Sequence, residues 1–132
     1  MIGSDETVLF DSNILIFAHN IDSPFYQEAN RLQEQVNNGL LKGVIANQNL
    51  LEFYSEITNP NIIKTPLSPE RTLDEIKKYL DSPFEVVFPS GEELGAVDLL
   101  IRDKNLMGRK VFDVYLLATM LANGVYTIYN AE

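Results

Sequence analysis

Asp11, Glu52 and Asp113 are the residues of this sequence best suited to chemistry. Asp11 ends the apolar run Val8, Leu9, Phe10. Glu52 lies in an apolar segment that follows Gly43, Val44, Ile45 and Ala46. Asp113 opens a long apolar segment just after Lys110 and Val111. An α/β fold brings such positions to one edge of a sheet, because sites form beyond the C-terminal ends of parallel strands. Converging carboxylates repel one another unless a cation neutralises them. With no Cys and a single His in the chain, all-oxygen ligands point to a hard divalent ion. The expected chemistry is metal-assisted attack on a phosphodiester.

Each residue also has a plainer reading. Asp11 suits a turn or a cap. Asp113 suits the first turn of a helix, where an acid complements the dipole, although apolar Val111, Phe112, Val114 and Leu116 argue against a simple surface position. Glu52 suits a solvated helix face, but Leu50, Leu51, Phe53 and Tyr54 around it imply part burial. Glu56, one turn on, competes with it. Asn130 and Glu132 follow the last apolar run and belong to the same edge. His19, the only histidine, reads as structural or solvent-facing.

Regularly alternating elements must hold these residues. Strands are expected at 7–10, 43–46, 84–88 and 125–129, each short, apolar and bounded by turn formers. Helices are expected over 12–18, capped by Ser12 or Asn13, and over 24–38, with Pro24 at the first position. A third should run from Asn47 or Asn49 to Ile57, stopped by Asn59 and Pro60. A fourth starts at Ser68 and Pro69, with Leu73, Ile76, Tyr79 and Leu80 on one face. A fifth runs from a Ser90 cap to about Asn105. The last, 112–123, is closed by Gly124. Alternating strands and helices imply parallel pairing in a three-layer α/β/α domain. A central, mainly parallel sheet of four to five strands is expected.

At 132 residues with 45% hydrophobic and 22% charged content, the chain reads as one globular domain over 1–132. No stretch is long enough to span a membrane. The acidic opening, Met1 to Glu6, lacks a signal-peptide pattern. Together with the absence of Cys, this gives a cytoplasmic expectation. The net charge of −9 argues against nucleic-acid binding driven by long-range attraction. Any such contact must rest on metal and local cations, of which Arg109 and Lys110, just before Asp113, stand out.

The assembled pieces resemble the PIN-domain ribonucleases, most closely the VapC-like toxins of toxin–antitoxin pairs. They are Leu9-Phe10-Asp11-Ser12-Asn13-Ile14-Leu15, Asn49-Leu50-Leu51-Glu52-Phe53-Tyr54, Val111-Phe112-Asp113 leading to Ala118-Thr119, and Gly124-Val125 with Thr127-Ile128-Tyr129-Asn130. The resemblance covers nearly the whole chain. It implies a PIN-like fold and an Mg²⁺- or Mn²⁺-dependent endoribonuclease acting on RNA. It further implies a homodimer and inhibition by a cognate antitoxin. Asp11, Glu52 and Asp113 match the family's first three acids, and Asn13 its polar residue beside the first. Asp11 and Asp113 would ligate metal, Glu52 would ligate or orient a metal-bound water, and Ser12 and Asn13 would fix Asp11. The chain departs at the fourth acid, where Asn130 stands. Either the partner acid lies beyond a truncated C-terminus, or Glu132 substitutes, or three acids suffice. This departure motivates the alternative of a catalytically weak PIN-like module that binds RNA or protein. A haloacid-dehalogenase-like phosphatase is excluded because Asn13 occupies the position of its second Asp. The receiver-domain acid pattern is absent too. Apolar surface around 62–80 and on the first helix is expected to support dimerisation.

Overall fold

The computed structural model describes residues 6–130. Its elements run β1 (Thr7–Phe10), α1 (Ser12–His19), α2 (Tyr26–Asn37), β2 (Lys42–Ala46), α3 (Asn47–Ile57), α4 (Pro69–Leu80), β3 (Glu85–Val87), α5 (Glu93–Lys104), α6 (Lys110–Ala122) and β4 (Thr127–Tyr129). The four strands form one sheet in the order β3-β2-β1-β4, and every pairing is parallel. The fold is thus the expected three-layer α/β/α domain.

Strand residues alternate between two cores, as a period of two requires. Val8 and Phe10 of β1, Ile45 of β2 and Tyr129 of β4 pack with α1–α4. Leu9, Val44, Ala46, Val87 and Ile128 pack on the other face with Leu116 and Met120 of α6. Phe10 anchors the first layer, edge-on to Phe84 with ring centroids 5.0 Å apart. Gly43 makes room for that packing: a Cβ there would stand 2.6 Å from a Phe84 ring carbon and 2.7 Å from a Val36 methyl.

Several element starts differ from expectation, each for a local reason. Helix α2 begins at Tyr26, not Pro24. A turn from Ser23 to Tyr26 intervenes, with the Tyr26 N–H on the Ser23 carbonyl at 3.2 Å and the Phe25 N–H on the Ser23 hydroxyl at 3.1 Å. Helix α6 starts at Lys110, not Phe112, because Gly108 at φ +67° turns the chain early. In α5 the cap works backwards. The Glu93 carboxylate reaches to the Ser90 N–H at 2.7 Å and the Gly91 N–H at 2.9 Å, so the helix starts at Glu93. On α4 the inward face is Thr72, Ile76 and Tyr79, at i, i+4, i+7 spacing, while Leu73 and Leu80 are 58% and 54% exposed. The first helix does not offer the expected apolar surface, since Ile14, Leu15, Ile16 and Ala18 are buried.

Candidate functional site

Asp11 leaves β1 in extended geometry (φ −67°, ψ 160°) and caps α1 itself, in place of Ser12 or Asn13. Its Oδ1 accepts the Ser12 N–H at 2.7 Å. Its own N–H donates to the Tyr129 carbonyl at 3.1 Å, continuing the ladder to β4. Strand order does the rest. With β1 between β2 and β4, Asp11 is flanked on one side by the start of α3 and on the other by Asn130.

From the α3 side comes Asn49, fully buried. Its Oδ1 accepts the Ala46 N–H at 3.0 Å, and its Nδ2 donates to Asp11 Oδ1 at 3.3 Å. From the β4 side, Asn130 Nδ2 donates to Asp11 Oδ2 at 3.1 Å, and Asn13 Nδ2 donates to Asn130 Oδ1 at 2.9 Å. The Asp11 carboxylate is therefore held by neutral N–H groups from three segments. The Oδ1 of Asn13 is buried with no hydrogen-bond partner, an acceptor open to a donor or a cation.

Glu52, one turn beyond Asn49 on the same face of α3, is half-buried. Burial pushes its carboxyl above the usual range and the Asp11 charge adds to this. The polar groups of Gln48, Ser12 and Asn49 pull the other way. Asp11 and Glu52 thus feel each other's charge, as two ligands of one cation would.

Asp113 behaves differently. It lies in the first turn of α6, as expected, but is exposed, against the expectation drawn from its apolar neighbours. A helix can bury Val114 and Leu116 while turning Asp113 outward. The link to the rest of the site is Gln48, whose Nε2 donates to the Phe112 carbonyl at 3.2 Å. Among the described residues no three His, Cys, Asp or Glu side chains lie close enough to hold one ion. The expected three-carboxylate cluster is not assembled. Arg109 and Lys110 are exposed at the start of α6, and among the described residues neither forms an ion pair. Glu132 lies outside the described residues. His19 sits at the far end of α1, its Nδ1 2.9 Å from the Leu15 carbonyl oxygen.

Sequence reading missed Gln48 and treated Asn49 only as a helix start. The available signal was spacing: Asn49 and Glu52 are three apart in the first turns after a strand, so they share a face.

Known proteins share this shape, and one shares part of the sequence. The solved structure of VapC20 from Mycobacterium tuberculosis, a sarcin–ricin-loop-cleaving toxin, matches with a TM-score of 0.69 at 15% identity, over 95% of this chain and 89% of that one. VapBC2 from Rickettsia felis, bound to a DNA fragment from its promoter, gives 0.62 at 16% identity, over 95% and 87%. In sequence, ribonuclease VapC48 of M. tuberculosis is 27% identical over 126 residues, 93% of this chain and 86% of its own. The chain is VapC-like. No protein-family profile matches it. The structural likenesses concern the fold, and it is the VapC-like fold that sets Asp11, Glu52 and Asn130 around one sheet edge.

Proposed function

We propose that this VapC-like chain is a metal-dependent endoribonuclease that hydrolyses RNA phosphodiester bonds as the toxin of a toxin–antitoxin pair. The carrying observation is the pairing of Asp11 with half-buried Glu52 beyond the C-terminal end of β1. A relative named ribonuclease aligns across 93% of the chain.

The residues fit a hard divalent ion, Mg²⁺ or Mn²⁺. Asp11 and Glu52 supply carboxylates, and the unpartnered Asn13 Oδ1 supplies a buried acceptor in the same cluster. Asp113, from the rim, would complete the set. When bound, the ion would orient the scissile phosphate and lower the pKa of a water. The chain's own groups supply the frame. Ser12 and Asn49 fix Asp11, Glu52 carries a raised affinity for a proton at the site, and Asn130 stands where the family places a fourth acid. Arg109 and Lys110 offer local positive charge to an RNA backbone, which a chain of net charge −9 otherwise lacks.

An antitoxin partner is supported by the fold's likeness to a VapBC pair from R. felis. A cytoplasmic, twofold dimer is part of the same reading. Exposed Ile62, Leu73 and Leu80 offer apolar surface for self-association, and no helix among the described residues is long and apolar enough to cross a membrane.

Purified protein should cut RNA and leave duplex DNA intact, only with Mg²⁺ or Mn²⁺, and EDTA should stop it. Asp113→Asn should abolish cleavage with the fold intact. Cleavage that persists in EDTA, or in Asp113→Asn, rejects the reading. The weak-module alternative draws on Asn130 at the fourth position, and RNA binding without cleavage by wild type would favour it.

A further inference from the structure

We infer that Asn49 is a positioning residue: its amide holds the Asp11 carboxylate, and the first turn of α3, in the orientation the site uses. The inference rests on the proposed hydrolase reading for its activity readout and on geometry for the rest. The Asn49 amide has only one usable orientation. A backbone N–H can only donate, so the Ala46 N–H, 3.0 Å away, requires the oxygen of Asn49 to face it. The nitrogen is thereby turned to Asp11 Oδ1, 3.3 Å away. The flipped amide would serve neither partner.

The side chain is fully buried, so it touches neither solvent nor RNA, and its effect must pass through Asp11 and its neighbour Glu52. Asp11 and Glu52 arise from β1 and α3, which nothing in sequence brings together. The Asn49 side chain joins the two segments by donating to Asp11. A hydroxyl or a methyl at 49 reaches no such pair of partners.

Two substitutions separate positioning from simple helix capping. Asn49→Ala removes both hydrogen bonds. Asn49→Asp keeps an oxygen for the Ala46 N–H and replaces the donor to Asp11 with a second carboxylate oxygen. Single-turnover and steady-state RNA cleavage should show kcat falling by about 10–100-fold in both, the range for groups that orient a metal ligand, with KM little changed. Mn²⁺ affinity, read by titration without RNA, should weaken by a similar factor in Asn49→Ala. Independently of activity, the effects of Asn49→Ala and Asp11→Ala on the unfolding equilibrium should be non-additive by about fivefold or more, as for residues in one hydrogen-bond network. Wild-type turnover in Asn49→Asp would mean that the cap alone matters and would overturn the inference, as would additive unfolding effects. If wild type neither cleaves RNA nor binds Mn²⁺, the hydrolase reading fails, and the unfolding cycle still decides whether Asn49 holds Asp11.

Discussion

The site has two unlike halves. Around Asp11, three segments converge through hydrogen bonds from Ser12, Asn49 and Asn130, and Glu52 is half-buried beside them. Around Asp113, an exposed carboxylate stands on the first turn of α6, joined to α3 by one hydrogen bond from Gln48 to a backbone carbonyl. The first half is built like a core, the second like a rim. A frame of neutral amides holds a carboxylate in place before any cation arrives. The acid on the rim is free to follow the ion and the substrate.

The comparison breaks most directly on stability. Asp11→Ala removes a helix cap, worth about 1 kcal/mol, and leaves the buried Asn49 N–H unpaired, at a cost of about 1–3 kcal/mol. Urea unfolding should register a loss of about 2–4 kcal/mol on those two counts. Asp113→Ala, on an exposed turn, should stay within about 0.5 kcal/mol of wild type. Equal losses would dissolve the distinction between the halves.

Cation should act through the first half. Mg²⁺ or Mn²⁺ at about a hundred times its Kd should stabilise the fold by roughly 2.7 kcal/mol, seen as a higher melting temperature. Asp11→Asn should remove most of that gain. A melting temperature unmoved across millimolar metal in wild type would count against a metal site.

Acid and base sharpen the contrast further, with opposite signs at two carboxylates. Glu52 has a raised pKa in the fold, so the native state holds its proton more tightly than the unfolded chain does. Without metal, stability should fall as pH rises from the ordinary Glu range through that raised value, and Glu52→Gln should flatten the fall. Glu93, 3% exposed, has its carboxyl held low chiefly by the Ser90 backbone N–H. Its contribution is present above the ordinary Glu pKa and is lost as pH drops through the lowered one. Glu93→Gln should therefore weaken the fold at neutral pH and narrow the gap in acid. Melting curves between pH 3 and about 8 would check both signs.

A small effect belongs to the tether. Gln48→Ala should change stability by no more than about 1 kcal/mol, the usual worth of one hydrogen bond, while slowing RNA cleavage through a looser Asp113. No change in cleavage would show that α6 keeps its place without it.

Much of this was legible in the sequence where periodicity was strong. Val8, Leu9 and Phe10 announced a strand, and Ser68 with Pro69 announced a helix start that the structure keeps. Starts governed by turn geometry were not legible. The Ser23–Tyr26 turn and the backward reach of Glu93 are hydrogen bonds that residue type permits but does not dictate. At the site, the neighbouring positions of Asp11 and Glu52 were legible because strand ends and flanking apolar residues mark a sheet edge. The exposure of Asp113 was not, because burial of Val114 and Leu116 says nothing of the neighbour on the other side of the helix. Asn49 was hidden for a further reason: an amide in a first turn looks like a cap until its second partner, 38 positions away, is known.

The pairing of β1 with β4 has a consequence for how the chain comes into being. Val8 lies opposite Thr127, so one flank of the first strand waits until Thr127 has been made. At ribosomal rates of about 5–20 residues per second, that wait is on the order of ten seconds. Throughout it Asp11 lacks the hydrogen bond from Asn130, and for most of it the rim acid has not been made. Long-range parallel pairing is also slow to form once its partners exist. A site assembled this way would stay unfinished until the residues of β4 and Asn130 have been made.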